Sequence, residues 1–269
     1  MKRSFKERFG TTALVAGASE GIGFAFAELL ASHGLNVVMI GRRERTLADA
    51  ASRLRDSYPA GITTLVCDLS TDDAARQIAD ATCSMQVDVL VYNAAMAHIG
   101  PHLALSHEAH AQMVNTNVVA PLALCNHYGA PMVQRGRGAI VLMSSLAGFQ
   151  GAGYLSLYGA TKAFSRVLAE GLWYEWRTKG VSVMACCAGA TDTPNYARSK
   201  PGKLGWLAPR IQQPHEVAHE CLEKLGSVPC LVTGGGNRWA SFVMTKLFSR
   251  KRATIIMGNA TRNLYNIRD

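Results

Sequence analysis

The stretch TTALVAGASEGIG, residues 11–23, decides the fold. Thr11–Gly17 is a short apolar run that ends on a glycine. From Ile22 to His33, Phe26, Leu29 and Leu30 recur at helical spacing. A strand that runs into a glycine-rich turn and then a helix suits a dinucleotide. Gly17, Gly21 and Gly23 allow a tight turn and close backbone approach to a pyrophosphate, and the helix start offers unpaired N–H groups to its charge. The spacing is GxxxGxG rather than GxGxxG. Glycines alone would be weak grounds, because they also close ordinary loops; their place between the first strand and the first helix carries the reading.

The same alternation continues along the chain. Asn36–Ile40, Ile62–Cys67, Val87–Val91, Ala139–Met143 and Val181–Cys186 read as buried strands, with Cys230–Val232 as a last short one. Helical stretches lie between them: a charged one over Glu44–Tyr58 and two long ones over Glu108–Gln134 and Leu157–Lys179. Short apolar strands separated by helices predict βαβ units, hence a doubly wound α/β fold with a parallel sheet of about seven strands and helices on both faces. No linker or repeat divides the chain, so one domain is expected over 1–269. Residues 194–213, rich in proline, glycine and basic residues, read as a loop or mobile lid, and 237–269 as a C-terminal extension.

Two features give this frame a chemistry. After the second strand come Gly41-Arg42-Arg43, where a cofactor with a free ribose 2′-hydroxyl would favour a carboxylate. Cations suit a 2′-phosphate, so NADP(H) is expected over NAD(H). Glu20 argues mildly the other way. Further on, Tyr158 and Lys162 form a YxxxK pair on one helix face. A free phenol, with a pKa of about 10, is a poor proton donor at neutral pH. An ammonium about 4 Å away contributes about 4 kcal/mol at an effective dielectric of 20. That corresponds to about three pKa units, which predicts that Lys162 brings Tyr158 near working pH. Ser145, thirteen residues upstream at a strand end, faces the same crevice.

These residues together resemble the short-chain dehydrogenase/reductase family, over about residues 10–235. The resemblance rests on Gly17-x-x-x-Gly21-x-Gly23, Asp68 after strand three, Asn93-Ala94-Ala95 after strand four, Asn117, Ser145, Tyr158-x-x-x-Lys162, Ala188-Gly189 and Thr193. It implies that Tyr158 exchanges the proton, Lys162 lowers its pKa and binds the nicotinamide ribose, Ser145 positions the carbonyl, and Asn117 supports a proton relay. It implies cofactor contacts from Gly17, Ser19, Glu20, Gly21, Ile22, Gly23, Arg42 and Arg43, with Asp68 at the adenine and Asn93 and Ala94 near its ribose. Gly189, Thr191 and Thr193 would hold the nicotinamide. The chain departs from the family pattern at Ala16, Tyr92, Ala95 and Ala188, all supporting positions. Residues 17–47 are most similar to the branch of 17β-hydroxysteroid dehydrogenases and 3-ketoacyl-CoA reductases, where an acidic residue also precedes the second glycine. The function implied is ketone–alcohol interconversion by hydride transfer. The competing reading is a non-catalytic dinucleotide sensor on the same fold, which would not need Ser145, Tyr158 and Lys162 together.

In the lid stretch, Tyr196, Leu204, Trp206 and Leu207 stand among Arg198, Lys200 and Lys203, which suggests a bulky apolar substrate, steroid-like or acyl-linked. The net charge of +9 comes entirely from residues 151–269. Dispersed cations without interleaved aromatics on a strand platform argue against nucleic acid. Residues 237–252 form a basic amphipathic segment. Packing of Trp239, Phe242, Val243, Leu247 and Phe248 on the sheet or a second subunit is favoured there over peripheral membrane contact. The family's habit implies a homodimer or homotetramer through the two long helices. The seven cysteines form no CxxC pair and no metal-ligand spacing, so buried reduced thiols, no metal and a cytoplasmic location are expected. No signal peptide or membrane-spanning run is read.

Overall fold

The computed structural model describes residues 4–202 and 209–267. Seven strands make one sheet: β1 Thr12–Ala16, β2 Asn36–Gly41, β3 Ile62–Val66, β4 Val89–Tyr92, β5 Gly138–Ser145, β6 Val181–Ala188 and β7 Cys230–Val232. Their order is β3-β2-β1-β4-β5-β6-β7, and every pairing is parallel. The chain therefore winds outward from β1 to β3, returns to β1's other side, and winds outward again. The order reverses between β1 and β4, which opens a crevice at their carboxyl ends.

Strand periodicity sorts the core into two layers. Ala13, Val15, Val37, Met39, Val89 and Val91 face one side, while Leu14, Ala16, Val38, Ile40, Leu90 and Tyr92 face the other. Both faces are covered by helices, so the central strands are apolar at nearly every position. Cys186 and Cys187 enter opposite layers. All seven cysteines are free; five are buried, whereas Cys83 is exposed and Cys230 half-buried, so the expectation of buried thiols fails at those two.

The amino-terminal rim is tied by one carboxylate. Asp88 is fully buried, and its oxygens accept from Thr11 N (2.8 Å), Thr12 N (3.3 Å), Gln86 Nε2 (2.8 Å) and Arg135 Nη2 (3.4 Å). A buried charge is tolerable when it is so fully hydrogen-bonded.

Three stretches differ from their expected form. The long helix over 108–134 is broken into His107–Val114, a π-helical turn Asn115–Val119 and Ala120–Arg135, and the wide turn carries Asn117. The 194–213 stretch is not all loop: Thr193 caps a short helix, Pro194–Arg198, and Thr191 bridges to Gln212. Lys203, Leu204, Trp206 and Leu207 lie outside the described residues. The segment from 237 does not pack its apolar face on the sheet. Trp239, Phe242, Leu247 and Phe248 are 65%, 51%, 63% and 37% exposed, because the helix Gly235–Phe242 is anchored by Asn237 and leaves that face turned outward.

Candidate active site

The glycine turn lies at the crevice. Gly17 and Gly21 have φ of +78° and +58°, a region that favours glycine. A Cβ on Gly23 would stand 1.9 Å from the Gly17 carbonyl oxygen, so only glycine fits. Asn93 Nδ2 donates to that same carbonyl (3.0 Å), and the N–H groups of Asn93 and Ala94 bond Ala16 O, which ties the loop after β4 to the turn. The helix Gly21–Ser32 starts here, with Ile22 half-buried against the core. Its first N–H groups and the cleared backbone are the shape a pyrophosphate needs.

At the end of β2, Ser19 lies against Gly41, and Arg43 Nη2 pairs with Glu20 at 2.8 Å. Glu20 also pairs with Arg198 from the short helix. Burial pushes the Glu20 carboxyl up, but the two guanidinium groups outweigh it and hold it below its ordinary value. Asp68 behaves alike: burial is overcome by two Ser70 hydrogen bonds and by the nearby charge of Arg42. The turn thus gathers Ser19, Glu20, Arg42, Arg43 and Asp68 around one corner, with both signs of charge present. A nicotinamide dinucleotide whose ribose carries a 2′-phosphate would find cations at this corner in Arg42 and in Arg43, which is paired with Glu20.

On the other side of the crevice, β5 delivers Ser145 and the helix Ser156–Trp176 delivers Tyr158 and Lys162. A cleft beside Tyr158 is lined by His98, His102, His110, Met113 and Tyr154. Asn117 amide atoms hold the Met96 backbone on both sides, accepting from its N–H and donating to its carbonyl (each 2.8 Å), and also donate to Thr161 Oγ1 at 3.0 Å. Thr161 precedes Lys162, so the π turn, the loop after β4 and the helix of the YxxxK pair are one bonded unit.

The expected electrostatics of that pair require correction. Lys162 is only 4% exposed, and its Nζ donates to Met143 O at 2.8 Å while standing 5.7 Å from the Tyr158 ring centre. Burial pushes the ammonium down to about 8. The Tyr158 phenol is pushed up by burial, pulled down by a Ser145 hydrogen bond, and pushed up again by Tyr265. On balance the phenol stands above its ordinary value, and the serine hydroxyl is the group that offsets part of that rise. The Coulomb argument assumed an ammonium aimed at the phenol about 4 Å away, whereas Nζ is spent on Met143 O and burial works against ionisation of the phenol.

At the ends of β6 and beyond, Gly189 lies hard against Asn237, where a Cβ would meet the amide at 2.5 Å. Thr191 is buried and donates to Gly189 O. Thr193 Oγ accepts from Tyr196 N, and its methyl lies where a Cβ on Gly21 would touch it at 3.0 Å. The glycine turn and the loop after β6 are therefore in direct contact. Sequence reasoning missed His98, Tyr265 and the Gln212–Asn237–Thr233 cluster that supports Gly189. His98 Nε2 is buried with no hydrogen-bond partner among the described residues. None of these has a spacing signal, because each reaches the crevice from a separate loop or helix.

A short chain dehydrogenase family matches residues 11–203. The chain belongs to that family. As a short-chain dehydrogenase it is an oxidoreductase. Among its relatives, a 7β-hydroxysteroid dehydrogenase of Clostridium sardiniense is 32% identical over 235 residues, covering 87% of this chain and 90% of the relative. A structure from work on 7β-hydroxysteroid dehydrogenase stereoselectivity superposes with a TM-score of 0.89 at 31% identity, over 95% of this chain and 99% of that one. A short-chain dehydrogenase from Sphingobium yanoikuyae in complex with NADPH gives 0.75 at 30% identity, over 86% and 92%. Among the described residues, no helix of this dehydrogenase is long and apolar enough to cross a membrane.

Proposed function

We propose that the chain interconverts a ketone and a secondary alcohol on a bulky apolar substrate, with NADP(H) as cofactor. The observation that carries this is the convergence of Ser145, Tyr158 and Lys162 on the wall of the crevice opposite the glycine turn. When bound, the nicotinamide supplies or takes the hydride. The Ser145 hydroxyl holds the substrate oxygen, and Tyr158 Oη gives or takes its proton. Ser145 also stabilises the ionised phenol by hydrogen bonding, which offsets part of the cost of burial. Lys162, held by Met143 O, and Asn117, held by Met96, fix the floor of the site. Gly17, Ser19, Gly21, Ile22 and Gly23 cradle the pyrophosphate, and Arg43 and Arg42 take the 2′-phosphate. Asp68, Asn93 and Ala94 border the adenosine, and Gly189, Thr191 and Thr193 the nicotinamide.

The similarity to 7β-hydroxysteroid dehydrogenases supports a hydroxysteroid-like substrate over an acyl-linked one. His98, which lines the cleft beside Tyr158, is the group we assign to a polar substituent on that substrate. Assembly as a homodimer or homotetramer through the helices over 107–135 and 156–176 is supported by exposed Val119, Leu122, Val167 and Tyr174 along them. A panel of steroid ketones and 3-ketoacyl thioesters, read by NADPH and NADH absorbance, tests the reading. Turnover of a steroid ketone with NADPH supports it. No turnover of any ketone by the folded chain would end it.

A further inference from the structure

The segment from Leu225 to Arg268 contains seven Lys/Arg and no Asp or Glu. In a chain with 19 carboxylates, a run of that length without one is a strong local field. Leu225, Leu231 and Ala253 enter the core, but most of the large apolar residues after β7 do not. Trp239 and Phe242, whose rings stack at 6.1 Å, are exposed, and so are Leu247, Ile255 and Ile256. Lys246, Arg250, Lys251 and Arg252 are exposed beside them, and none of the four forms an ion pair among the described residues. A cavity of about 290 Å³ opens at the same place, walled by Phe149, Met244, Thr245, Lys246, Phe248 and Arg250.

From this placement we infer that residues 238–256 form a docking face for a bilayer carrying anionic phospholipid. The face is built from the helix Gly235–Phe242, the turn Val243–Leu247 and the start of the helix Arg250–Leu264. Cation-rich helical segments with aromatic and branched apolar side chains exposed are what an interface between headgroup and acyl chain accepts. Two other occupants fit less well. A second copy meeting this face about a twofold axis would set Lys246, Arg250, Lys251 and Arg252 against their own copies, and residues 225–268 supply no carboxylate to answer them. Nucleic acid would use the cations and stack on Trp239, but gains nothing from Leu247, Ile255 and Ile256. The face is also separate from the helices over 107–135 and 156–176. Docking would set the catalytic cleft close to the membrane surface. Gln150, five residues after Ser145, donates to Ala253 O, Gly153 packs on Gly258, and Gly202 N bonds Leu264 O.

Flotation of the full chain with vesicles tests this. One arm uses equal phosphatidylglycerol and phosphatidylcholine, the other phosphatidylcholine alone, each at low and high salt. Binding is expected to the anionic vesicles, weakened by salt. Each neutralised cation should cost roughly fivefold in affinity, so Lys246→Gln/Lys251→Gln/Arg252→Gln should lose about a hundredfold. Trp239→Ser/Phe242→Ser should also lose binding while ketone reduction in solution stays unchanged, and Trp239 emission should shift to the blue on anionic vesicles. Absence of binding by the folded wild type overturns the inference. So does wild-type binding by both variants. A smaller oligomer for Trp239→Ser/Phe242→Ser without lipid, or duplex DNA held as tightly through the same residues, would equally replace it.

Discussion

Lys162 is the residue whose replacement says most about the site. Its ammonium is nearly sealed from solvent and its pKa falls from 10.5 to about 8, chiefly through burial. A fall of that size corresponds to about 3 kcal/mol of penalty on the charged form. Below pH 8 both folded and unfolded chains carry the proton, so the native state bears the full penalty at pH 7. Lys162→Met, similar in length and apolar, removes it. The substitution also leaves the Met143 carbonyl without its donor, at about 1 kcal/mol. The variant should therefore be more stable than wild type at pH 7 by about 2 kcal/mol, and inactive. As pH rises from 8 to 10.5, the wild-type native state sheds its proton while the unfolded chain keeps one. Wild type gains stability across that window, and the variant's advantage should shrink toward zero. Urea unfolding followed by tryptophan fluorescence at pH 7 and pH 9.5 measures both gaps. A variant no more stable than wild type at pH 7, or an advantage that does not diminish with pH, would refute the reasoning.

The other expectations concern catalysis and the cofactor corner. Tyr158→Phe keeps the ring and removes the proton, and should lower kcat for ketone reduction by about 10²–10⁴-fold with the fold intact by circular dichroism. Arg43→Ala removes the guanidinium proposed for the 2′-phosphate. It should weaken NADPH binding by roughly 10- to 100-fold, the range of a charged hydrogen bond, while NADH binding, measured by fluorescence titration, changes little. Gly23→Ala forces a methyl onto the Gly17 carbonyl, so dinucleotide binding should be abolished and the thermal midpoint should fall. A normal NADPH titration for that variant would contradict the role given to the turn.

Much of this architecture is legible in the chain because the signals are local. A buried parallel strand must be apolar throughout, so β1, β2, β4, β5 and β6 stand out as short runs, and the turn at Gly17–Gly23 follows from the glycines that its positive φ angles and close contacts demand. Residues four apart on a helix share a face, which places Tyr158 and Lys162 together. What spacing does not carry is direction and depth. Nothing in YxxxK says that Nζ points to Met143, or that desolvation would move both groups against the Coulomb attraction. The π turn at Asn115–Val119 is invisible to a period of 3.6, and Asn237 reaches Gly189 from 48 residues away. The helix Pro214–Lys224, by contrast, carries readable signs, a proline in its first turn and a Gln213–Glu216 capping box. The exposed face from Trp239 looks on paper like any core-facing stripe, since amphipathicity states that a face is apolar and not what covers it.

The two rims of the sheet live under different rules. The side chains gathered at the crevice come from carboxyl ends of strands, from the loops that follow them, or from the helices those loops lead into, whereas the opposite rim carries the knot around Asp88 and, among its chain reversals, those at Gly136 and Gly180. Tags, fused partners or new chain ends introduced at those reversals would leave the chemistry untouched so long as the Asp88 knot is kept. An engineer can therefore rebuild the floor of this protein while its ceiling goes on working.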